Sequence, residues 1–294
     1  MNWHNHQYVT HDKRPQWGVG KVFDANARDF KVFFADSGWK NFMQGDVPLS
    51  VAPLGAPISA LFDHLASLSI QQTNDFVSLP DCIKRFQKLF PQGFSDPAYL
   101  TEDAKVGERS YKLAASDFAT QTLSEDVWRG LNSSGQFAET CHRLEQIEAK
   151  TNLLHKFEKI KWHRALSDER LQRPLSEAIF NDIYGVGDRR RRFESLKAVL
   201  GDAEGCAKWT VATYYGFLLL PRERIFIKPE VTKYAALACG WDLQYDSELN
   251  WNTLSSAEKL ADYLFAELTR RGLAPRDMID VQSFIWCIEP KSYA

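Results

Sequence analysis

A chain of 294 residues, 44% of them hydrophobic, has material for one large or two modest packed domains. Its net charge of −2 excludes a surface that is basic throughout, and five cysteines without Cys-x-x-Cys spacing (Cys82, Cys141, Cys206, Cys239, Cys287) exclude the tight ligand clusters of zinc or iron–sulfur sites. The scattered thiols, the lack of a basic-then-apolar leader and the absence of any membrane-length apolar run predict a cytoplasmic protein with no membrane partner, no metal and no cofactor.

Residues 1–11 hold His4, His6 and His11 and read as a flexible polar end. From Trp17 the texture changes. Runs at 18–23, 30–34 and 39–42, divided by turns at 24–27 and at Ser37-Gly38, read as short strands. Their Gly and aromatic content predicts a small curled β-barrel over residues 1–47. The string WGVGKV…KVFFADSGWKNF resembles Tudor/SH3-like modules appended to bacterial DNA-processing proteins. Trp17, Phe34 and Trp39 either stack on bases or a partner peptide, or fill the module's core. Residues 48–57, PLSVAPLGAP, read as a linker from their Pro and Gly content.

Residues 58–294 are helical in period. Ile58, Leu61, Phe62, Leu65 and Leu68 mark one helix, and Ile83, Phe86, Leu89 and Phe90 a second over 79–90. A loop at 91–97 precedes a helical stretch broken near Val106 and Gly107. There Glu108-Arg109-Ser110-Tyr111-Lys112 is either a substrate-contacting surface or a solvated face with a local ion pair. Helices follow over 123–131, 138–150, 152–166 (with His163) and 168–183. Gly185-Val186-Gly187 stops the last of them. The arginines at 189–192 cannot share one helix face, so some must point to solvent.

Residues 201–205 read as a polar turn, followed by a helix over 206–220 carrying Lys208-Trp209-Thr210. Next come the link Pro221-Arg222-Glu223-Arg224, a β-like run Ile225-Phe226-Ile227, and a helix opened by Lys228-Pro229-Glu230. Pro suits a first helical turn, where its missing N–H costs nothing, and the helix dipole stabilises a carboxylate there. Residues 185–234 hold ten Lys/Arg and six Asp/Glu, a local positive balance suited to a phosphate backbone. A loop over 241–253, a capping box at Ser255-x-x-Glu258 and a final helix over 278–288 complete the chain. Asp280 in that last helix is a surface or capping carboxylate, or one that supports the site.

The run from residue 201 to 240 resembles the helix-hairpin-helix DNA glycosylases. In that family a Gly-containing hairpin leads into a helix beginning Lys-Thr-Ala or Trp-Thr-Ala, and roughly 20 residues later an apolar run ends in an Asp that opens the next helix. Here Lys208-Trp209-Thr210-Val211-Ala212 and Ile225-Phe226-Ile227-Lys228-Pro229-Glu230 match, with 21 positions from Trp209 to Glu230. The carboxylate is Glu rather than Asp, and the hairpin lacks Gly-x-Gly. Gly185-Val186-Gly187 has the more usual hairpin composition but lies 43 positions before Glu230.

The resemblance implies a mainly α fold, a multi-helix helix-hairpin-helix glycosylase-like body with a small N-terminal β-barrel. It implies hydrolysis of the N-glycosidic bond of a modified or damaged base flipped from DNA, in repair or in antiviral defence. Glu230 would stabilise the cationic sugar and align water. Gly201 and Gly205 would offer backbone N–H groups to a phosphate. Lys208, Arg222, Arg224, Lys228 and Lys233 would hold the DNA backbone, and Trp209, Tyr214 and Tyr215 would line the base pocket. Trp209 occupies the slot of the attacking lysine of the lyase branch, and Lys208 is about 100° away around the helix. The expectation is therefore hydrolysis without a Schiff base. The alternative is a non-catalytic nucleic-acid or protein-binding regulator in which Glu230 only favours its own helix.

Overall fold

The computed structural model describes residues 2–65, 76–103 and 107–292; Leu68 and Val106 lie outside them. The chain divides into two compact units, Met1–Lys88 with Lys233–Leu243, and Leu89–Thr232 with Gln244–Ala294. It is mainly helical with a small N-terminal antiparallel sheet.

Five strands build that sheet: β1 Tyr8–His11, β2 Gly20–Phe23, β3 Asp29–Phe34, β4 Gly38–Met43 and β5 Leu49–Val51. Their order is β4-β3-β2-β1-β5, with every neighbouring pair antiparallel. Alternation along β3 sends Phe30, Val32 and Phe34 to one face, where they join Trp3, Val9, Val22 and Leu49. Phe33 points the other way, edge-on to Trp39 and Phe76 at 5.2 and 5.5 Å. Gly20 is required by this packing, since a Cβ there would lie 2.6 Å from Val32 Cγ1. Of the three candidate stacking aromatics, Phe34 and Trp17 serve this interior and Trp39 lies with Phe33 on the opposite face. Phe34 is fully buried, Trp17 packs on it at 5.2 Å, and Trp39 lies against Phe23 and Phe33.

Two sequence expectations fail here. Residues 2–11 are not a loose end, because Trp3 and Val9 are apolar anchors and β1 is held on both sides, by β2 and by β5. His11 is buried against the Trp17 ring, and its Nδ1 accepts from the Lys13 N–H. The stretch read as linker supplies β5, whose Leu49 is buried, so residues 48–57 contain a structural strand.

Beyond the sheet, the described part of the first helix predicted past Pro57 is a 3-10 turn over Ala60–Asp63, with Leu61 and Phe62 buried and Ile58 exposed. Helix α1 spans Leu79–Leu89 and α2 Pro97–Leu100. Then follow α3 Ser110–Thr122, α4 Glu125–Ser133, α5 Phe137–Glu148, α6 Lys156–Ser167, α7 Glu169–Tyr184, α8 Arg189–Asp202, α9 Trp209–Leu219, α10 Pro229–Cys239, α11 Trp251–Arg270 and α12 Met278–Ile288. Short polar side chains at the N-caps stop the chain from fraying: Ser124, Asp168, Asp188, Asn250 and Asp277 each accept backbone N–H bonds. The expected capping box is displaced. Asn250 caps α11, and Ser255 and Glu258 lie inside the helix.

Helix α9 explains the second unit. Its sequence, WTVATYYGFLL, has no charge on any face, and a helix apolar all round is stable only when enclosed. All eleven of its residues are buried, and α3, α7 and α8 pack around it. The five cysteines are buried and unbridged. No helix among the described residues is long and apolar enough to cross a membrane.

Candidate active site

The run singled out in the sequence forms α8, a turn over 203–208, α9, an irregular link, and α10. Gly201 lies in the last turn of α8, not in the hairpin; the tight position is Gly205, at φ +74°. Lys208 is the extended N-cap of α9, exposed, and its side chain makes no capping bond. Residues 225–227 form no strand among the described residues. Ile225, Phe226 and Ile227 are buried, and the Ile227 N–H donates to Thr213 Oγ1 at 3.0 Å, which ties the link to α9.

The aromatic side chains assigned to a base pocket are core. Trp209 stacks on Phe193 and donates its Nε1 hydrogen to the Asp246 carbonyl at 2.8 Å. The Tyr214 hydroxyl is 2.6 Å from Thr151 Oγ1. Tyr215 accepts from Trp162 Nε1 at 2.7 Å and donates to the Leu144 carbonyl at 3.0 Å. Burial pushes both phenols well above their ordinary range. The cavity beside Tyr215, bounded also by Trp162 and Asp182, is about 10 Å³, room for no more than a water. These three residues therefore cannot receive a base.

Glu230 is the second residue of α10 and is exposed. Arg222 is also exposed. Arg224 is not a surface cation: its Nη1 lies 3.3 Å from Glu258 Oε1, which Arg189 Nη2 meets at the same distance. Arg189 Nη1 also holds Asp182 Oδ1 at 2.5 Å. Burial raises the Asp182 and Glu258 carboxyls despite these cations, and it lowers Arg189. The cluster joins α7, α8, the link and α11, and so sets the course of the chain into Glu230. Lys228 is half-buried, with Nζ 4.2 Å from the Trp286 ring centroid. Lys233, partly buried on α10, falls in the other unit.

The arginine run divides as its helical spacing requires. Arg189 turns inward, Arg192 hydrogen-bonds the carbonyls of Asn181 and Gly185 at the end of α7, and Arg190 and Arg191 are exposed. Val186, between Gly185 and Gly187, is 96% exposed. The backbone N–H groups at the start of α8 are taken by Asp188, which accepts from Arg190 N and Arg191 N.

The segment 108–112 is neither a solvated face nor a contact surface. Arg109 is buried and grips Asp277, while its Nη1 also reaches Asp280 Oδ1 at 2.7 Å. Asp280 further accepts from Tyr99 at 2.6 Å and from Arg276 Nε at 2.9 Å. Lys112, 1% exposed, donates to Glu108 Oε2 and Ser283 Oγ, each at 2.9 Å. The sequence signal for this network is Asp280 itself, a carboxylate among Met278, Ile279 and Val281 and the single charged residue of the last helix. His163 is bound to Glu148 and Glu145 through its two ring nitrogens, at 2.8 and 3.2 Å.

Among the described residues no group of three or more His, Cys, Asp or Glu is placed to hold a metal ion. A comparison of the chain with known protein families, curated proteins and solved structures finds no match in any of the three.

Proposed function

We propose that the chain is a DNA N-glycosylase that hydrolyses the bond between deoxyribose and a modified or damaged base. The observation that carries this reading is the exposed Glu230 in the first turn of α10, reached from α8 through a six-residue turn, α9 and a link braced by Glu258. A carboxylate there, favoured by the helix dipole, can face a sugar that becomes cationic as the base departs, and can orient the attacking water. Exposed Lys208 and Arg222 on either side of α9 supply charge for phosphates. The strand order β4-β3-β2-β1-β5 supports a Tudor/SH3-like reading of the N-terminal sheet, a module suited to a second contact.

The test is base release from duplexes carrying alkylated, oxidised or deaminated bases, by wild type and Glu230→Gln. Release by wild type and none by the variant supports the proposal; equal release removes Glu230 from the mechanism. The burial of Trp209, Tyr214 and Tyr215 favours a second reading, a non-catalytic nucleic-acid reader, since the aromatics expected to receive a flipped base are enclosed in the core. DNA binding without release from any of these duplexes selects that reading.

A further inference from the structure

Helix α6 packs into the second unit through Trp162, Ala165 and Leu166, which are buried. Its outer side carries a second stripe, left in solvent. Phe157 and Ile160 are 62% and 64% exposed, and at three positions' separation they are neighbours on one face. Lys156, Lys161 and Arg164 are exposed beside them. At 100° per residue these five side chains fall within about 140° of the helix circumference. Two large apolar side chains together in water, ringed by cations, mark a contact surface. The other charged groups of α6 are engaged elsewhere. Glu158 accepts from the His155 N–H and from Thr210 Oγ1, Lys159 holds Glu148 at 2.7 Å, and His163 lies between Glu148 and Glu145.

The Glu158–Thr210 bond, at 2.6 Å, fastens α6 to the first turn of α9. Gly205 lets the Lys161 stem cross the turn before α9, since a Cβ there would fall 2.6 Å from Lys161 Cδ. Exposed Lys208, in the same turn, adds a fourth cation. Among the described residues Lys156, Lys161 and Lys208 have no ion pair, and Lys156 Nζ stands 5.1 Å from the Phe157 ring centroid. Arg164 meets only Glu204, at 3.8 Å with both side chains 82% exposed. Past Arg164 the face opens into a cleft of about 290 Å³, lined in part by Ala165 and Leu171. Of the other carboxylates there, Asp168 is held by Arg170 at 2.8 Å, and Asp202, at the end of α8, repels phosphate and confines it to the α6 side.

Cations that track a backbone, with an exposed aromatic ring between them, are the arrangement that holds a single nucleic-acid strand, because every unpaired base offers a ring face for stacking. We propose that the outer face of α6 binds single-stranded nucleic acid, with Phe157 and Ile160 under the bases and Lys156, Lys161, Arg164 and Lys208 along the phosphates. The charge of the strand complements the face. A duplex does not, since its ring faces are already stacked on one another. Such binding needs no chemistry at Glu230 and holds whether or not the chain releases a base.

The experiment is fluorescence anisotropy of the full chain with three labelled ligands of equal length: oligothymidylate, an abasic deoxyribose-phosphate strand and a thymine–adenine duplex. None carries a damaged base, so failure of the glycosylase reading leaves the result untouched. Oligothymidylate should bind most tightly, with log affinity falling against log salt at a slope of about −3 for four phosphate contacts. Lys161→Gln should make that slope shallower by about 0.7. Phe157→Ala should weaken binding about 5- to 150-fold and erase the preference over the abasic strand, whereas Phe157→Tyr keeps the ring and retains both. Equal binding of oligothymidylate and the abasic strand would mean a polyanion site only and overturns the proposal. So does preference for the duplex, no binding of oligothymidylate, or unchanged affinity in Phe157→Ala. A measurement on wild-type protein guards against a variant that fails to fold. An iodouracil strand should photo-crosslink to the peptide that contains Phe157, and a crosslink confined to another element also overturns the proposal.

Discussion

Arg109 Nη1 and Nη2 meet Asp277 Oδ1 and Oδ2 at 2.8 and 2.7 Å, a two-point grip between residues 168 positions apart. The planar guanidinium matches the carboxylate plane, and Asp280 shares the same cation. This pair fastens the start of α3 to the start of α12, the helix that carries Trp286. Arg109→Ala leaves two buried carboxylates facing each other, and a loss of about 3–5 kcal/mol is expected. Urea denaturation measures it, and a loss near zero would mean that water reaches the pair freely.

Asp280 makes the acid limb of stability specific. Burial alone would raise its carboxyl, but Arg276, Tyr99 and Arg109 bring it below the ordinary value of 3.8. A carboxyl lowered in the folded state contributes stability that is present above its unfolded pKa and is lost as pH falls through the folded one. The urea midpoints of wild type and Asp280→Asn should therefore differ most above pH 3.8 and converge below it. A constant gap down to strong acid would contradict the assignment.

Tyr215 separates a core role from a pocket role. Tyr215→Phe leaves Trp162 Nε1 without its acceptor inside the second unit and should cost about 1–3 kcal/mol. Trp209→Ala should cost about 3–5 kcal/mol. A base-pocket residue would instead change substrate preference while leaving the melting temperature alone. Thermal unfolding of both variants decides.

Glu230 should behave in the opposite way. Exposed at a helix start, it can become Gln with only a small loss of stability, about 1 kcal/mol or less from the helix dipole, while base release disappears. Circular dichroism melts run beside the release assay check both halves. A large drop in stability would show that the carboxylate serves the fold.

Trp3 tests the reading of the N-terminus. It is 2% exposed and closes the sheet core against Phe30, so Trp3→Ala should cost about 3–5 kcal/mol. A loose polar end would show no effect. Urea titration followed through the remaining tryptophans gives the answer.

Local periodicity carried far in this chain. The strand runs at 18–23, 30–34 and 39–42, and the helix stripes through the body, were legible because a two-residue or 3.6-residue repeat is written by neighbours. Helix α9 was legible too, but its meaning was not. A helix without a charged face is a core helix, so the aromatics that a motif assigns to a pocket are enclosed.

What the sequence by itself determined is the order of elements: a β-rich N-terminus, a helical body, and a carboxylate in the first turn of α10. Only the tertiary structure decided that β1 and β5 pair across the sheet, that Asn250 rather than Ser255 opens α11, and that Arg109, Arg189 and Arg224 face carboxylates rather than solvent. The reason is range. A helix or a strand is specified by side chains a few positions apart, whereas the fate of a charge depends on which distant element covers it. Lys228 and Trp286 are 58 positions apart in sequence and 4.2 Å apart in space, a juxtaposition that no periodicity records.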